Sequence, residues 1–170
     1  FVPFDGSGVC VVDRNAMLEG DPDAQIITWD LKNIFFGVLP ADFDGAPPLE
    51  GTPNYLVSIS GSLLRRWECH VDWDSPNSSD LMRLDDLSIG ENMNWDIVIE
   101  QPGTSWTLDP ISDRLMYRLQ YRQFDGYEVL LTNHAVNVGQ GRAGIRWYEL
   151  RSDLQEPWYV YQQGTYAPED

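Results

Sequence analysis

Asp42-Phe43-Asp44-Gly45 sets two carboxylates at alternate positions ahead of a glycine, the opening pattern of many calcium loops. A hard cation gathers about six to eight oxygens, so Asp42 and Asp44 are the candidate metal ligands and calcium is the cation they would take. Ala46-Pro47-Pro48-Leu49 follows, with Glu50 the next acid, so the later ligands of an EF-hand are missing. The competing reading is an Asp-rich turn that satisfies its own backbone amides. Asp72-Trp73-Asp74 poses the same choice at an apparent strand end. The two histidines, His70 and His134, belong to no His-x-x-x-His pattern and read as structural residues embedded in strands. Cys10 and Cys69 stand outside any Cys-x-x-Cys or Cys/His metal spacing. They could form a disulfide or bury their thiols separately. No residue is assigned a catalytic role.

The elements that must position these groups read as strands. Leu115, Tyr117, Leu119 and Tyr121 alternate with Met116, Arg118, Gln120 and Arg122, a period of two that marks a half-buried strand. The turn Asp125-Gly126 leads into a second apolar run through Tyr127, Val129 and Leu131, which extends towards Val136 and Val138. Gly139, Gly141 and Gly144 break the chain before Ile145 to Leu150, and Glu156-Pro157 precedes Trp158 to Gln162. The expectation is an antiparallel four-stranded meander over 114–163. Upstream, Val9 to Val12, Gln25 to Leu31, Ile34 to Leu39, Tyr55 to Ile59 and Leu63 to Val71 are also β-branched or aromatic runs. One short helical turn is expected over Arg14 to Leu18, with Asp13 as N-cap and Gly20 as its stop. The fold class is therefore all-β, one domain over 1–170, built from four-stranded antiparallel meanders. The arrangement expected for these meanders is a partial β-propeller, with a self-contained β-sandwich as the alternative. Trp29-Asp30 and Trp73-Asp74 are separated by an interval suited to a propeller blade, but Trp147 falls out of step.

Composition narrows the partners. The 170 residues carry 27 acidic and 11 basic groups, a net charge of -16, and Lys32 is the only lysine. Nucleic acid needs clustered cations, which the scattered arginines do not provide, and anionic membrane surfaces are disfavoured for the same reason. No apolar run is long enough for a transmembrane helix. So acidic a surface suits solubility in an extracellular, saline or calcium-containing medium.

Ser112-Asp113-Arg114-Leu115-Met116-Tyr117-Arg118-Leu119-Gln120-Tyr121-Arg122 resembles a segment of a family of large secreted bacterial proteins with a β-propeller-like, sialidase-like fold. The resemblance continues through Thr132 to Val138, Gly144 to Arg151 and Tyr161 to Pro168, and upstream through Gly8 to Arg14 and Leu39 to Gly45. It implies a secreted or cell-surface location and a chain that is a processed or internal piece of something longer, consistent with its start at Phe1. The expected partners are other polypeptide from the same precursor or neighbouring subunits, and glycans. The expected function is a non-catalytic structural or binding module of an extracellular assembly. The alternative is a sialidase-like glycan-processing enzyme or a glycan-binding propeller. Sialidase chemistry would draw on Arg118, Arg122 and Arg146 with Tyr117 or Tyr121, but strand alternation puts Arg118 and Arg122 on one face and both tyrosines on the other. Gly103-Thr104-Ser105-Trp106 resembles the tail of an Asp-box, although Gln101 and Ile99 stand where that hairpin motif wants Asp and Ser respectively.

Overall fold

A computed structural model describes residues 5–32, 36–90, 96–154 and 157–168. Ile34, Phe35 and Glu156, named in the expected strand and turn positions, lie outside the described residues. Strand accounts for 47% and helix for 6% of the structure, which makes it nearly all-β. The strands are β1 (Gly8–Val12), β2 (Ile26–Asp30), β3 (Leu39–Phe43), β4 (Asn54–Ser60), β5 (Leu63–His70), β6 (Asp80–Arg83) and β7 (Leu87–Ser88). They continue as β8 (Ile99–Glu100), β9 (Thr107–Leu108), β10 (Leu119–Gln123), β11 (Glu128–Asn137), β12 (Ala143–Ser152) and β13 (Tyr159–Tyr166). The single α-helix among the described residues, α1 (Arg14–Glu19), has the expected ends. The Asp13 carboxylate accepts the Asn15 and Ala16 amides, and Gly20 supplies a left-handed stop at φ 73°. It buries no residue.

Two antiparallel meanders, β3-β4-β5-β6 and β10-β11-β12-β13, share one nine-stranded sheet, with β7 added beside β5. The seam between them is the parallel pairing of β3 with β10, Ala41 opposite Leu119, Asp42 opposite Gln120 and Phe43 opposite Tyr121. The meander expected over 114–163 thus spans 119–166. Regular pairing starts only at Leu119, so Tyr117 lies outside the pleat and is 80% exposed, although the alternation put it with the core residues.

The sheet curls into a half-barrel. Its inner face brings Tyr55, Val57, Ile59 and Leu64 of the first meander against Leu119, Tyr121, Leu130, Tyr148 and Leu150 of the second, with Ile89, Leu115 and Trp158 closing the cluster. This arrangement corrects the phase of β11. Glu128, Leu130, Thr132, His134 and Val136 form the buried alternation, joined by Ala135 near the strand end, whereas Leu131 of the apolar run is exposed and Val129 only part-buried. The register leaves no freedom here, because Tyr121, fixed inward on β10, stands opposite Leu130 and not opposite Leu131.

The outer faces of the two meanders differ. The ribbon β1-β2 lies on the outside of β4 and β5, where Val9 packs with Leu56, Trp67 and Cys69. Strand β4 is consequently buried on both faces. No comparable element covers the outer face of β10, β11 and β12 among the described residues. Leu130→Ala is expected to cost about 2–5 kcal/mol by opening a core cavity, and Leu131→Ala less than about 1 kcal/mol. Urea denaturation of both variants checks the phase, and the opposite ranking would reverse it.

Candidate functional site

The seam positions the expected metal ligands. Asp42 ends up beside β10, and Asp44 follows directly, its amide donating to the Tyr121 carbonyl at 2.9 Å. Both carboxylates meet one guanidinium. Arg118 Nε lies 2.9 Å from Asp42 Oδ2, and Arg118 Nη2 donates to Asp44 Oδ1 at 2.7 Å. Gln120 reaches the other Asp44 oxygen at 3.4 Å. The hydrogen bond to Asp44 holds the Arg118 guanidinium above its ordinary pKa. Among the described residues no three His, Cys, Asp or Glu side chains gather as a metal site would need. Asp72 serves its own loop, where its carboxylate accepts the Ser75 amide at 2.8 Å. The Gly103 to Trp106 segment does form a hairpin turn, between β8 and β9, and leaves Trp106 79% exposed.

The bare outer face of the second meander carries an open groove of about 320 Å³. Strand register lays two rows across its floor. One runs Arg122, Val129, Arg151 and the other Gln120, Leu131, Glu149. The hairpin turn at Asp125-Gly126 forms one end, where Gly126 adopts φ 87° and the Phe124 amide donates to the Tyr127 carbonyl at 2.8 Å. That closure stacks the Phe124 and Tyr127 rings, centroids 4.9 Å apart and 11° from parallel. Arg122 lies over Phe124, while Arg151 lies over both Tyr127 and Tyr161. Arg151 is also paired with Glu149 at 2.7 Å. The period-two reading assigned Val129 and Leu131 no such surface role, since an apolar run is most simply placed inward.

The inner face holds a second cleft of about 310 Å³. The buried Glu128 accepts hydrogen bonds from two phenols, Tyr55 at 3.1 Å and Tyr121 at 2.8 Å. Burial, then the Glu128 carboxylate, pushes the Tyr55 hydroxyl far above its ordinary pKa; burial and the same hydrogen bond do so for Tyr121. Both phenols therefore stay protonated donors. The one guanidinium lining this cleft is Arg66, which donates to the Asp85 carbonyl at 2.7 Å. Arg118, Arg122 and Arg146 do not converge: Arg118 holds the seam, Arg122 faces the outer groove, and Arg146 lies over the buried Tyr148 ring. Glu128 could not be singled out from sequence, because nothing local marks an acid as the acceptor for two distant tyrosines.

His134 is fully buried, as a structural histidine would be. One ring nitrogen lies 3.0 Å from Tyr148 Oη and the other 3.3 Å from the Ser112 carbonyl. The carbonyl can only accept, so Nδ1 carries the proton and Nε2 accepts from the Tyr148 hydroxyl. His70 is part-exposed, 3.9 Å from Glu68. Cys10 and Cys69 are free thiols, one exposed and one buried, lining the same cleft beneath β1.

Two outcomes follow from these charges. Burial lowers the His134 pKa, with Arg146 adding to the effect and the Ser112 carbonyl opposing it. The unfolded chain therefore takes up this proton first. The stability from neutral His134 is complete above the ordinary value of 6.5 and is lost as pH falls from there towards the lower folded value. Melting temperature should decline on acidification through that window, and His134→Gln should flatten the decline; an unchanged slope would remove His134 as its cause. At the seam, a cation would have to displace Arg118, so chelator should leave the melting curve in place. A calcium-dependent rise abolished by Asp44→Asn would instead assign the ion to Asp42 and Asp44.

Comparison of the chain with protein-family models, curated proteins and solved structures finds no match, so the functional reading rests on the arrangement of these residues.

Proposed function

We propose that this chain is a non-catalytic structural or binding module of a secreted or cell-surface assembly, and that it engages another polypeptide by strand addition at the outer edge of β13. The observation that carries this reading is the chemistry of that edge. Tyr159-Val160-Tyr161-Gln162-Gln163-Gly164-Thr165-Tyr166 contains no charged residue, in a chain of net charge -16. Its inner side pairs with β12, and its other side has no backbone partner among the described residues. Open edges are ordinarily guarded by lysine, proline, a short strand or inward-pointing charge. Among the described residues the strand carries one such device, a bulge opposite Glu149 and Leu150, and β7 comes near it without pairing. An uncharged edge also lets an acidic module accept a neighbouring strand without opposing carboxylates across the new ladder. The resemblance to large secreted propeller-like proteins supports the same reading, with the partner strand supplied by the same precursor or a neighbouring subunit.

One observation favours the alternative, a glycan-processing enzyme: a Tyr/Glu pair beside Arg66 in the inner cleft. The raised phenol pKa values and the lack of a second guanidinium in that lining weigh against it. Turnover of a panel of aryl glycosides that is lost in Glu128→Gln would establish it.

Strand addition is tested by the mass of the native material in solution. The chain should be found bound to further polypeptide, and Gln163→Lys, which places a charge on the open edge, should release it with the melting curve little changed. A wild-type chain that remains a monodisperse 19.4 kDa monomer in native material would overturn the proposal.

A further inference from the structure

The outer groove combines features that no structural duty of the fold requires. Val129 and Leu131 put branched aliphatic side chains on the side of the sheet facing away from the core, flanked by the stacked Phe124 and Tyr127 rings. Of the charged side chains lining this groove, three are already paired: Asp44 with Arg118, and Glu149 with Arg151. Arg122 is the exception. It is exposed, lies 5.2 Å from the Phe124 ring centroid and close to Gly45, and has no carboxylate partner among the described residues. Other arginines outside ion pairs, such as Arg146 and Arg142, spend their donors on Thr165 and the Pro168 carbonyl, whereas Arg122 borders an open groove.

We infer that this groove binds an acidic saccharide, a pyranose unit bearing one carboxylate, with the carboxylate on Arg122 and a ring face against the Phe124, Tyr127 and Leu131 surface. Each part of the ligand has its counterpart. A guanidinium offers a carboxylate two parallel donors, a pairing stronger than a neutral hydrogen bond. The C–H face of a sugar ring suits aromatic and branched aliphatic side chains. Ring hydroxyls need both donors and acceptors at the rim. Gln120 supplies an amide, and Asp44 and Glu149 retain acceptor capacity while their charge is balanced by Arg118 and Arg151. A single carboxylate fits better than a polyanion, because one guanidinium is unpaired and the whole molecule repels negative charge. Nothing in this inference depends on strand addition at β13, which uses the backbone edge and not the sheet face.

The test is calorimetric titration of the intact chain with a panel of aldobiouronic acids, each carrying one uronate and one neutral hexose, against the matched neutral disaccharides at about 0.15 M salt. At least one acidic member should bind, and its neutral counterpart should bind about tenfold more weakly or not at all. Arg122→Gln should remove the preference for the acid while leaving the melting temperature unchanged, since the side chain is exposed; Arg122→Lys should restore part of it. Phe124→Ala should weaken acidic and neutral members together. Absence of binding by every acidic member up to about 10 mM, equal binding of acidic and neutral partners, or an Arg122→Gln variant that keeps the preference would each overturn the inference. Binding with preference intact in a Gln163→Lys variant would separate this site from any partner held at β13.

Discussion

The parallel pairing of β3 with β10 is the contact on which the rest of the architecture hangs. Each meander alone would expose its inner apolar face to water. Joining them edge to edge gives a sheet wide enough to curl, and curling turns the two apolar faces towards each other. Only three residue pairs form the ladder of this seam. Its position is reinforced from the side chains, because Asp42 and Asp44 on one strand and Arg118 just ahead of the other can pair only when the strands stand in this register. Two carboxylates that resemble the start of a calcium loop thus hold a protein cation, which explains why a short parallel ladder can carry so central a junction.

Much of the fold could be read from residue types alone. The four strands of the second meander, the Asp125-Gly126 turn and the capped helix all rest on local rules, namely period two, turn chemistry and an Asp N-cap, and these hold wherever neighbouring strands supply what the pattern asks. The face of β11 was not legible, because both of its phases look plausible. Tyr127, Val129 and Leu131 make one apolar series, while Glu128, Thr132 and His134 interrupt the other. The two ionisable members of the polar series are buried because each finds a partner far away in sequence, Glu128 in Tyr55 and His134 in Tyr148 and the Ser112 carbonyl. Burying a carboxylate or an imidazole is costly until such donors and acceptors are supplied, and a one-dimensional pattern does not contain them.

The same limit governed the site. Arg118 and Arg122 are near neighbours along the chain and Arg146 follows two strands later in the same meander, yet alternation, the hairpin and the seam send them to three different environments. What distinguishes Arg122 is not its type or spacing but its place at an open groove with no acid paired to it among the described residues, a property of the folded surface. The ribbon β1-β2 sharpens the contrast between the meanders. It closes the outer face of β4 and β5 with Val9 and Trp29, so the corresponding face of β10 to β12 is the one left free to carry polar and aromatic chemistry.

The seam also bears on the order in which the chain acquires its structure. Within each meander, contacts link residues close in sequence, and such hairpins close quickly. Ala41 and Leu119 meet only after a long intervening stretch has been spanned, at a correspondingly larger loop-closure entropy. The two meanders should therefore be early, separately formed units, with the parallel ladder and the Arg118 clamp added last. In that sequence of events the seam governs how fast the native state comes apart more than how fast it assembles, so kinetic lifetime is concentrated in a few residues around positions 41–44 and 118–121.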